Sequence, residues 1–108
     1  MSEAPYVDPG PRSGAPDALV LDIGGEIGAL VVHAPPSWIG TELDVTAEGE
    51  PRSHHRHLLV RRLHAGGHDV VAGVLPSLPA GAYTVWGPSG SPVASVSVSG
   101  GTVATVSV

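Results

Sequence analysis

Five of the six histidines, His54, His55, His57, His64 and His68, fall within fifteen consecutive positions, and four of the five arginines, Arg52, Arg56, Arg61 and Arg62, lie in or beside the same stretch. In an extended strand, residues i and i+2 share a face roughly 7 Å apart. His55 and His57 can therefore converge on one ion, with His54 on the other face. A His-x-His pair on a strand, completed by a ligand from a neighbouring strand, suits Zn²⁺ or Cu²⁺. His33, Glu42, Asp44 and His68 are the candidates for that completing ligand. His64 and His68 flank a hairpin tip and can face each other across it. The same stretch supports a second chemistry. Arg56, Arg61 and Arg62, with His54 and His64, could hold a phosphate or carboxylate of a ligand or protein partner. Arg61 and Arg62 must point to opposite faces of any strand that carries both.

Other chemistry is thinly represented. The serines occupy no G-x-S-x-G elbow, and Pro88-Ser89-Gly90 reads as a turn. Glu42 and Asp44 are spaced i, i+2 and could work as an acid and base, or simply form the solvent face of a strand. Trp38, after Pro35-Pro36-Ser37, is placed to plug the end of a sandwich or to stack on a ligand. Gly24-Gly25-Glu26-Ile27-Gly28 lacks the Lys-Ser/Thr pair and the strand–loop–helix setting of a phosphate loop.

The elements that must position these residues are strands. The chain has 108 residues, 15 Gly, 11 Pro, no Phe and no Cys, and its formal net charge is −5. This is the size of one domain with one core. The acidic balance and the few aromatic residues argue against nucleic acid as a partner. The lack of cysteine excludes disulfides and thiolate sites and fits a cytoplasmic protein. The first residues lack the charged start and apolar core of a secretory signal, and no apolar run is long enough to span a bilayer. Residues 1–17 are rich in Pro and Gly and read as a flexible tail, and residues 18–108 as the folded domain.

Within that domain, the pattern predicts strands at 18–23, 27–34, 42–47, 54–63, 69–75, 82–86, 93–98 and 103–108, separated by Gly- and Pro-rich turns. The segments 54–63 and 69–75 form a hairpin through His64-Ala65-Gly66-Gly67-His68, and the last two segments form a closing hairpin through Gly100-Gly101. The expectation is an all-β, Greek-key sandwich of seven or eight short strands.

The segment Leu78-Pro79-Ala80-Gly81-Ala82-Tyr83-Thr84, followed by two uncharged strands, resembles the prealbumin-like sandwich domains. That group includes the transthyretin-like, carboxypeptidase-regulatory-like and collagen-binding B-type domains. The resemblance implies a prealbumin-like sandwich over about residues 68–108 and, by strand count, over 18–108. It implies no activity. Hydrolases of the transthyretin branch end in Tyr-Arg-Gly-Ser, whereas this chain ends Val106-Ser107-Val108. The isopeptide bond of some surface-repeat relatives needs a lysine, and this chain has none.

From Val70 to Val108 there is no Asp, Glu, Lys, Arg or His. Free sheet edges usually carry a charge, a proline or a bulge. The charge-free terminal strands therefore predict a covered surface, with another copy of the chain as the expected partner. The sequence thus points to a non-enzymatic binding or assembly module, homo-oligomeric through its C-terminal strands, with the His/Arg-rich hairpin as ligand or partner surface. The alternative is a Zn or Cu protein built on His55 and His57, acting as a small metal-dependent hydrolase.

Overall fold

A computed structural model describes residues 23–50 and 55–108, with the side chains of His55 and Ala65 outside that description. The proposed tail 1–17, most of the 18–23 strand, Arg52 and His54 lie outside the described residues. Eight strands are described: β1 (Ile27–His33), β2 (Glu42–Ala47), β3 (His55–Leu59), β4 (Arg61–Ala65), β5 (His68–Pro79), β6 (Gly81–Trp86), β7 (Pro92–Val98) and β8 (Val103–Ser107). A 3-10 turn at Pro36–Trp38 joins β1 to β2. The strands form two four-stranded sheets, ordered β4-β5-β1-β8 and β3-β2-β6-β7, so the chain is an all-β sandwich. Among the described residues, no helix is long and apolar enough to cross a membrane.

Alternation builds the core between the sheets. Leu30 and Val32 of β1 face Leu43 and Val45 of β2, Leu58 of β3, and Tyr83 and Val85 of β6; Val60, Leu78 and Val98 complete the cluster. Each large apolar side chain taken fully out of water contributes about 1.5–3 kcal/mol. The first sheet is apolar on its other side as well: Ala29 and Ala72 are fully buried and Leu63 is 6% exposed, and all three alternate with the core-facing residues. Strands with two apolar faces read as continuous Val/Ile/Leu runs, as β1 does.

Two sequence expectations are corrected by the topology. The segment 54–63 is not one strand of a hairpin. Its first half, β3, pairs with β2 in the second sheet, and its second half, β4, pairs with β5 in the first. The switch is at Val60. Its side chain is fully buried in the core, and its backbone is held by the β2 approach: Val60 N–H donates to the Thr41 carbonyl at 2.9 Å, and Gly40 N–H donates to the Val60 carbonyl at 2.8 Å. The hairpin tip itself is as expected, a two-residue turn at Gly66-Gly67 between Ala65 and His68. Both glycines have positive φ, +58° and +80°, which matches the twist of the flanking strands.

The closing hairpin is likewise absent: β7 pairs with β6, and β8 pairs in parallel with β1 in the opposite sheet. Gly101, at φ +74°, turns the chain across and donates its N–H to the Ile27 carbonyl at 2.8 Å. Alternation does hold in both strands. Ala94, Val96, Ala104, Val106 and Val108 pack against the core while remaining partly exposed, and Ser95, Ser97, Thr105 and Ser107 are exposed.

Candidate functional site

The outer face of the β3-β2-β6-β7 sheet collects the polar side chains that alternation removes from the core. Leu43 and Val45 are buried inward, which turns Glu42, Asp44 and Thr46 outward. Asp44 is opposite His57 on β3 and opposite Trp86 on β6. His57 Nδ1 lies 3.5 Å from Asp44 Oδ1 and 3.6 Å from Glu42 Oε1. The His57 and Glu42 side chains are 58% and 61% exposed, and that of Asp44 25%. Next to them, the Trp86 indole N–H donates to Thr46 Oγ1 at 3.0 Å. Thr46 is only 3% exposed although it is on the outer face. An imidazole, two carboxylates and an indole thus line three adjacent strands.

The other predicted site residues are distributed differently. His33 ends β1, and His64 and His68 flank the β4–β5 turn, so all three belong to the first sheet. His33 and His68 thus belong to the sheet opposite the one in which β3 carries His55 and His57, and the side chain of His55 lies outside the described residues. His64 and His68 flank the tip as expected, but the close contact of His64 is with Asp69, Nδ1 to Oδ1 at 2.8 Å. Among the described residues, no group of three or more His, Asp or Glu side chains is arranged to hold a metal ion.

The arginines of the proposed anion surface lie on two strands. The Arg56 guanidinium carbon lies 5.7 Å from the centroid of the Tyr83 ring, on the core side of β3 that Leu58 shares. Arg61 and Arg62 follow the crossing, in β4 of the other sheet, on opposite faces. Trp38 packs against the core. A Cβ on Gly87 would meet its ring at 3.6 Å, so Trp38 lies beside Gly87.

Tyr83 itself is 3% exposed and donates its hydroxyl hydrogen to the Pro79 carbonyl. This anchors the Leu78–Thr84 segment. Burial pushes its pKa above the ordinary 10.0; the Arg56 charge opposes that rise and the Glu50 charge adds to it.

Sequence reasoning named Glu42, Asp44 and His57 but not their combination with Trp86 and Thr46. The i, i+2 spacing of Glu42, Asp44 and Thr46 was the available signal. No known family, curated protein or solved structure matches this chain.

Proposed function

We propose that this chain is a non-enzymatic binding module whose partner surface is the outer face of the β3-β2-β6-β7 sheet, and that the partner presents a cationic side chain. The observation that carries the reading is the approach of two carboxylates, Glu42 and Asp44, to one nitrogen of His57 on an exposed face. Two acceptors directed at one point suit a guanidinium or ammonium, which binds carboxylates through charge-assisted hydrogen bonds. An indole on the next strand adds a ring that attracts the same kind of group. The cysteine-free composition supports a cytoplasmic setting.

The test is an amide-resolved NMR titration of the full chain with a hexa-arginine peptide at neutral pH. Shifts should concentrate at Glu42, Asp44, His57 and Trp86. They should disappear in the Glu42→Gln/Asp44→Asn double variant and persist in Asp69→Asn. Shifts spread evenly over all acidic positions, or unchanged in the double variant, would overturn the reading.

A further inference from the structure

We propose that His57 is a built-in competitor for the partner's cation, so that the outer face of the β3-β2-β6-β7 sheet releases its partner as pH falls below neutrality. The proposal deepens the partner-surface reading above and rests on it.

The starting observation is that the binding point is already taken. His57 Nδ1 lies 3.5 Å from Asp44 Oδ1 and 3.6 Å from Glu42 Oε1. The place where the two carboxylates converge therefore holds a ring nitrogen of the chain itself. The register keeps it there. Asp44 is directly opposite His57, and Glu42 is two residues along β2 on the same face. The alternate residues Leu43 and Leu58 are fully buried, which holds both strands with this face outward. The backbone of His57 is thus fixed beside the carboxylates, while its side chain, 58% exposed, remains open to protons and to an incoming group.

Imidazole changes its charge between about pH 5 and 8, and its two forms act in opposite directions at this point. Protonated, the ring carries an N–H at Nδ1 and shares a positive charge. It then pairs with the carboxylates as a guanidinium would, and a second cation brought there meets a like charge. Neutral, with its hydrogen on Nε2, the ring offers Nδ1 as an acceptor. A guest cation then finds two carboxylates and a third acceptor beside them. The cation binds the neutral form better, so each event opposes the other: protonation of His57 weakens partner binding, and partner binding weakens protonation by the same factor.

The neighbours of His57 define what else titrates there. The charged groups that β2 directs at the ring are Glu42 and Asp44, and carboxylates ordinarily ionise near pH 4, below this window. On β6, Trp86 and Thr84 share the face with Asp44 and Thr46, and neither titrates near neutrality. On β3, position 55, opposite Thr46, is a second histidine, and position 59, opposite Glu42, is a leucine. The Arg56 guanidinium is over the Tyr83 ring on the core side. His33, His64 and His68 are in the other sheet.

The test is the NMR titration of the full chain with the hexa-arginine peptide at about pH 6 and about pH 8, in about 0.15 M salt to screen distant charges. The dissociation constant should be at least about fivefold larger at the lower pH. In His57→Asn, which keeps a polar side chain that does not titrate, the ratio should fall below about twofold. It should stay near its original value in His55→Asn and His64→Asn. A second readout uses the unaltered chain: the ring-proton titration of His57 should move to lower pH when the peptide is bound. Equal dissociation constants at the two pH values, with the shifts at Glu42, Asp44 and Trp86 intact, would overturn this proposal and leave the partner surface standing. A ratio that survives His57→Asn, one that vanishes in His55→Asn, or a His57 titration that ignores the peptide would overturn it in the same way. Absence of those shifts at both pH values would overturn the partner surface itself, and this proposal with it.

Discussion

Gly73 of β5 and Leu58 of β3 meet across the sandwich so closely that no side chain fits between them. A Cβ on Gly73 would stand 1.8 Å from Leu58 Cδ2 and 2.9 Å from the Leu59 carbonyl oxygen. The leucine could rotate, but the backbone oxygen could not move without disturbing β3. Gly73→Ala should therefore cost about 1–3 kcal/mol, the usual range for overpacking, measured by urea denaturation. Combining it with Leu58→Ala should destabilise by less than the sum of the single changes, because the methyl group would occupy part of the vacated space. Strict additivity would show that the two residues are not in contact.

That contact also marks what the sequence left open. Strand periodicity and turn chemistry were readable: the Gly66-Gly67 turn, the outward Ser and Thr of the last strands, and the buried Tyr83 are where alternation and glycine placement put them. The choice of sheet was not readable. Leu58-Leu59-Val60 is an apolar run within a longer strand-like segment, and alternation is the same whether the chain continues in one sheet or bends into the other. Only the burial of Val60 and its bonds to Gly40 and Thr41 show the crossing. The candidate site divides along the same line. Glu42, Asp44 and His57 were visible as residue types at strand spacing. Trp86 joins them through the pairing of β2 with β6, forty residues along the chain from the Thr46 it bonds to, where spacing carries no information.

The Trp86–Thr46 hydrogen bond tests how firmly that face is built. Thr46→Val keeps the shape and removes the acceptor, leaving the indole N–H without its buried partner. A loss of about 1 kcal/mol is expected, with a shift of the Trp86 indole proton resonance. An unchanged indole resonance would mean that the bond is not made in solution.

At the hairpin tip, the turn should matter more than the ion pair. His64 and Asp69 are 55% and 54% exposed, so His64→Ala should change stability by no more than about 0.5 kcal/mol. Gly67 at φ +80° is in the region that L-residues avoid, and Gly67→Ala should cost about 1 kcal/mol. Thermal unfolding of the two variants side by side checks the order. A larger loss from His64→Ala would reverse it.

Tyr83 gives the fold an alkaline limit. Its pKa is raised in the folded chain, first by burial, so the folded state holds its phenolic proton more tightly than the unfolded state. The stabilisation is fully present below the ordinary value of 10.0 and is lost as pH rises through the higher folded value, where the unfolded chain ionises first. Urea denaturation at increasing pH should show a decline beginning near pH 10. Tyr83→Phe removes the hydrogen bond to the Pro79 carbonyl, so at neutral pH it should be about 1 kcal/mol less stable. It has no phenol to ionise, so its deficit should shrink as pH climbs past 10. The Arg56 charge opposes the rise in the Tyr83 pKa. Arg56→Gln should therefore move phenolate formation in the folded chain to still higher pH, followed by ultraviolet absorbance. A shift to lower pH in that variant would mean that the guanidinium does not act on the Tyr83 ring.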